Sequence, residues 1–126
     1  MNALKNVALV MALSLFLVHE IDAMTHHEWR LLPIIGSLND EVGRQVFVLL
    51  HIPVFFGVIW ALFMTHWRLM AAKIFCVLLI IHGLVHFIYS GHELYSFVPP
   101  IETITVYGAA LSGMIYLALR PKKEQK

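Results

Sequence analysis

Residues 4–24, LKNVALVMALSLFLVHEIDAM, decide the fold, because two physical readings of the run lead to different molecules. A helix that crosses a bilayer needs about 20 mostly apolar residues. This run supplies them and then ends in His19, Glu20 and Asp22. The rival is a secretory signal peptide, with Lys5 ahead of a short apolar core and Ala23 as the cleavage residue. A cleavage site wants small residues, and the position two before Ala23 holds the bulky Ile21. The run is therefore read as a retained membrane helix, with its polar end belonging to the mature protein.

Three further runs of similar character follow, at about 42–65, 70–90 and 103–119. Between them lie polar or Pro/Gly-rich joints. SLND (37–40) has capping-box spacing and is expected to start the second helix, and THHE (25–28) has the same spacing and starts a short separate helix ending near Pro33. Gly91 and Pro99-Pro100 punctuate the third connection. The chain of 126 residues allows a single domain, and 60% hydrophobic against 13% charged residues sets it apart from soluble domains. The expectation is an all-α, integral membrane four-helix bundle in contact with the lipid bilayer. A net charge of +1 offers no basic surface for nucleic acid. The single Cys76 builds neither an intramolecular disulfide nor a thiolate metal cluster.

Basic residues orient the bundle. Lys5, Arg68, Lys73, Arg120, Lys122, Lys123 and Lys126 fall on the side of the termini, and Arg30 and Arg44 on the other. By the excess of Lys and Arg on the inner side, both termini are cytoplasmic. His19, His26, His27, His51, His82, His86 and His92 then all lie in the outer half, with His66 alone on the inner side. Glu20, Asp22, Glu28, Glu93 and Glu102 join them. At about 1.5 Å per residue, His19 and His86 sit roughly 6–7 Å below the outer helix ends, and His51 and His82 roughly 12 Å.

Ionisable groups at such depth need partners and mark functional sites. Neutral imidazoles with carboxylates form the ligand set of zinc, copper and iron centres. The expected metal-binding residues are His19, Glu20, Asp22, His51, His82 and His86. Residues 19, 22 and 26 share a face if the first helix continues, and His82 and His86 are one turn apart. Pro53 frees a backbone carbonyl near His51, and Gly57, Gly83, Gly108 and Gly113 offer smooth packing surfaces. Trp29, Tyr89, Tyr95 and Phe97 are expected as interface aromatics.

The motifs HEIDA (19–23), EWR (28–30) and HIP (51–53) resemble those of a group of small, uncharacterised bacterial membrane proteins with four predicted helices. That resemblance covers about residues 16–54. It implies a multi-pass protein of the bacterial inner (cytoplasmic) membrane and assigns no activity. Two other functions stay open from the residues themselves. One is a b-type haem protein with His51 and either His82 or His86 as the axial pair. The other is a ligand-free structural or accessory subunit, in which His51 and His82 are satisfied by hydrogen bonds to Glu20, Asp22 or Glu102. A homo-oligomer or a second membrane subunit fits any of these, and an enzymatic role is left undecided.

Overall fold

The computed structural model describes residues 3–119, and these are helical with no strand among them. Helix α1 spans Ala3–Thr25, α2 Asp40–Phe63 and α3 Arg68–Tyr89. The fourth run opens with a π-helical segment, Thr103–Tyr107, and continues as α4, Gly108–Ala118. Helices α1, α2 and α3 are each long and apolar enough to cross a membrane, and the fourth is a shorter apolar helix. Arg120, Lys122, Lys123 and Lys126, used above for orientation, lie outside the described residues.

Helix α4 packs between α1 and α3, and α2 is held more loosely against α3 and the connection that precedes it. Small residues let the backbones of the first group approach. Ala8 and Ala12 of α1 and Ala109 of α4 are buried together. A Cβ on Gly113 would stand 3.0 Å from the Cys76 carbonyl oxygen, so α3 and α4 touch through backbone there. Gly83 and Gly108 also meet neighbouring side chains, but nothing comes within 4 Å of a Cβ on Gly57, which is therefore no packing surface within the chain. Long apolar side chains of α2 such as Ile52, Phe56 and Trp60 point outward, as expected of a helix whose solvent is hydrocarbon.

Two corrections concern the helix starts. The cap of α2 is Asn39, whose side-chain oxygen accepts from the Val42 N–H at 3.0 Å. Ser37 instead donates its hydroxyl to the Ile34 carbonyl. Asp40 and Glu41 then occupy the first turn, where negative charge suits the helix dipole. Thr25 ends α1 rather than capping a new helix, and the short separate helix is a 3₁₀ turn, Glu28–Leu31. His27 makes this break with φ 58, a left-handed conformation. Pro53 lies inside α2.

At the far end of the bundle Lys5 is buried. Its Nζ donates to the Leu119 carbonyl at 2.8 Å and lies 4.5 Å from the centre of the Tyr116 ring. The beginning of α1 and the end of α4 therefore share one end of the molecule.

Candidate metal centre

The left-handed turn at His27 sends the chain back over the end of α1, and this return builds the site. Trp29 and Arg30 fasten it. The Arg30 guanidinium grips Asp40 through two hydrogen bonds, 2.7 Å from Nε to Oδ1 and 2.8 Å from Nη2 to Oδ2, and the Trp29 indole N–H donates to Oδ1 at 3.1 Å. Trp29 is 2% exposed and packs on Phe47 of α2. A Cβ on Gly36 would come 2.6 Å from the Arg30 carbonyl oxygen, a backbone approach that requires glycine, and one on Gly43 would stand 3.1 Å from the Trp29 ring, so a side chain there would push its neighbours back by a few tenths of an ångström. With the two residues that follow it held in this way, Glu28 faces inward.

There it joins His19 of α1 and His82 and His86 of α3. One ligand atom from each of the four lies within 4.8 Å of all the others. His19 Nε2 is 3.7 Å from Glu28 Oε2, and His86 Nε2 is 3.9 Å from Glu28 Oε1. The three imidazole rings are mutually adjacent, with centroids 4.7–4.9 Å apart. Phe97 closes the group, its ring 5.5 Å from that of His19 and 5.0 Å from that of His86.

The hydrogen bonding of this group is incomplete on its inner side. Both ring nitrogens of His19, Oε2 of Glu28 and Nε2 of His82 are buried without a hydrogen-bond partner in the protein. Burial, followed by the nearby Glu20, pushes the Glu28 carboxyl up to about 8. His86, by contrast, is oriented. Its Nδ1 lies 2.7 Å from the Tyr95 hydroxyl, and that hydroxyl donates to the buried Glu102 carboxylate. The tyrosine proton is committed to Glu102, so His86 Nδ1–H donates to the phenolic oxygen. Its Nε2 is left as a lone pair turned toward Glu28. Burial and the Glu102 hydrogen bond hold the Tyr95 phenol above the usual range.

The other expected ligands are placed elsewhere. His51 has both nitrogens engaged, Nδ1 with the Phe47 carbonyl at 2.6 Å and Nε2 with Glu20 Oε2 at 2.7 Å. Since Nδ1 must donate to the carbonyl, the His51–Glu20 contact shares one proton. Asp22 Oδ2 lies 3.2 Å from His26 Nδ1, and that nitrogen also reaches the Asp22 carbonyl at 3.0 Å. The face joining residues 19, 22 and 26 therefore splits, with His19 turned into the cluster and His26 bonded to the Asp22 backbone carbonyl, while the buried Asp22 Oδ2 has no hydrogen-bond partner. His27 packs on Trp29 and His92 lies beside Tyr89, while His66 lies against Trp67 just beyond α2.

Glu28 and Glu102 were expected on the histidine side of the bundle, but neither Glu28 as a ligand nor Tyr95 and Glu102 as the support of His86 is marked by spacing. For Glu28 a signal was present in EWR, where a carboxylate directly precedes an aromatic anchor and a guanidinium. Tyr95 carries no such mark, and Glu102 reaches His86 rather than His51 or His82, because the fold of the loop sets Tyr95 between them.

The model of DUF6713, a family of unknown function, matches residues 5–123, and the chain belongs to that family. No curated protein and no solved structure matches it.

Proposed function

We propose that this DUF6713 member is a multi-pass protein of the bacterial cytoplasmic membrane that binds one first-row transition-metal ion near its outer face, through His19, His82, His86 and Glu28. The observation that carries this reading is the set of unpartnered donors. Buried polar atoms are nearly always hydrogen-bonded, and each one left alone costs free energy. Here three residues that leave such atoms belong to one group, with ligand atoms mutually within 4.8 Å. A tetrahedral ion with bonds of about 2.0 Å has ligand–ligand edges of about 3.3 Å. The four ligand atoms, mutually within 4.8 Å, must draw together by up to about 1.5 Å to reach that. Three imidazoles and a carboxylate suit zinc, copper or iron.

Each residue has a definite task. His86 presents Nε2 because Tyr95 and Glu102 hold its other nitrogen, the outer support common at metal-bound histidines. Glu28 supplies the negative charge and gives up its proton on binding. The ion would act as a Lewis acid or as a structural tie between α1, α3 and the Glu28 turn.

The buried His51–Glu20 pair and the His86–Tyr95–Glu102 chain favour a ligand-free hydrogen-bond network as the second reading. That network satisfies His51 and one side of His86, yet reaches neither nitrogen of His19. Haem is less well supported. His51 has both nitrogens occupied, and His82 and His86 project from one helix in mutual contact rather than across a slot between helices.

Metal analysis of protein purified without chelator or an affinity metal tests the proposal. The expected result is about one ion per chain in the parent, loss in His19→Ala and His82→Ala, and retention in His66→Ala. Equal, substoichiometric metal in the parent and all three variants would overturn it.

A further inference from the structure

A cleft of about 210 Å³ lies against the cluster, and Glu28 and His86 are among its lining residues. Its other surfaces are apolar or aromatic: Leu31 and Pro33 on the turn, Val85 on α3, and Tyr89 and Tyr95. Val85 is 43% exposed and Tyr89, at the end of α3, is 38% exposed, so the cleft is reached from the side of the bundle near a helix terminus. In the membrane reading this mouth sits where hydrocarbon meets headgroups, a level that favours molecules with an apolar body and one polar end.

The lining specifies the polar end. It contains no lysine or arginine, and Arg30 nearby is occupied with Asp40. A phosphate or sulfate headgroup would lose its hydration without gaining a cationic partner. Glu28, with 14% of its side chain exposed, offers a carboxyl oxygen for a neutral hydroxyl to meet, the Tyr95 hydroxyl being engaged by Glu102 and His86. Size and shape narrow the apolar part. A cavity of roughly 150 Å³ holds a benzene ring, so the cleft suits one ring with its hydroxyl and a short substituent, flanked by two aromatic side chains.

We infer that the cleft binds a neutral, membrane-soluble phenol-type amphiphile, its hydroxyl directed at Glu28 beside the metal centre. The inference builds on the metal reading, because it makes the centre's exposed edge a ligand-binding edge. The cleft itself does not require the ion for its existence.

The test uses the full chain in lipid nanodiscs and an alkylphenol carrying a diazirine on its short chain. Irradiation is expected to label peptides containing residues 31–33 and 85–89 saturably. Unlabelled 4-butylphenol should compete and butyl phosphate should not. Val85→Trp and Leu31→Trp, both outside the ligand set, should each reduce labelling at least tenfold while binding cobalt(II) as the parent does. Labelling spread over the outward face of α2, unchanged labelling in both tryptophan variants, or equal competition by butyl phosphate would each overturn the inference. Cobalt(II) titration of the same samples separates the two readings. A parent that shows the site-specific labelling but binds no cobalt retains the cleft and loses the metal centre.

Discussion

His19 and Glu28 show what a single residue reveals when each polar atom is followed to its partner. His19 was legible as a candidate from depth alone, since an imidazole several ångströms inside a membrane requires a partner. Glu28 was not, because its inward direction depends on the left-handed turn at His27, and no spacing rule contains that turn. With its carboxyl raised to about 8, Glu28 is protonated at neutral pH in the metal-free protein. Glu28→Gln mimics that neutral form, so below about pH 4.5, where the parent carboxyl is protonated in both folded and unfolded states, the metal-free fold is expected to change little, while metal affinity collapses at neutral pH. The pH dependence follows with a definite sign. The raised value favours the folded state below about 4.5, and this contribution is lost as pH rises through about 8. The stability difference between metal-free parent and Glu28→Gln should therefore shift against the parent across that interval, as chemical denaturation at several pH values would show. Metal affinity should move the opposite way, strengthening up to about pH 8 as the proton leaves. Tyr95→Phe removes the acceptor for His86 Nδ1 and should weaken metal binding by roughly 10–100-fold without abolishing it, measured by competition with a chelator of known affinity.

At the scale of elements, the decisive piece is the connection 26–39, which is short and without long helices, yet sets the site. The apolar runs of α1, α2 and α3 were readable because crossing a bilayer demands a length and a composition, whereas the run expected over 103–119 is a shorter apolar helix, Thr103–Ala118. Helix ends were less readable. Capping-box spacing pointed to Ser37 and Thr25, but Asn39 caps α2 and Thr25 closes α1, because several polar residues in a row offer competing caps and tertiary contacts choose among them. EWR now has a structural account: Trp29 and Arg30 dock the connection on Asp40, and Glu28 is delivered as a result. Asp40→Ala releases both anchors. It is expected to reduce metal affinity at least tenfold although Asp40 belongs to no ligand set, and the Trp29 fluorescence environment should become more polar. An unchanged affinity with a more polar Trp29 would show that the connection holds Glu28 by other means.

For the whole molecule, the four-helix all-α architecture was readable from hydropathy, and the membrane orientation is an expectation that the packing makes testable. Lys5 and Leu119 meet at one end, and the His/Glu cluster lies toward the other end of α1 and α3. A cysteine at Ser37 or Ser96 should react with an impermeant reagent added outside cells, whereas His66→Cys should react only after lysis, with Cys76 silent because it is buried. The reverse pattern would invert the protein and move the site to the cytoplasmic face. The convergence of histidines on one side was also visible in the sequence, but not which of them would meet. His51 looked the equal of His82 in depth, and only the three-dimensional partner, Glu20, sets it apart.

X-ray absorption spectroscopy on the metal-loaded protein reads the identity of the donors themselves. About one ion per chain is expected, surrounded by three imidazole nitrogens and carboxylate oxygen at about 2.0–2.2 Å, with the imidazole signal falling by about one third in His82→Ala wherever metal is still retained under excess. A first shell of water oxygens with one imidazole or none, or the same spectrum in parent and His82→Ala, would contradict that donor set.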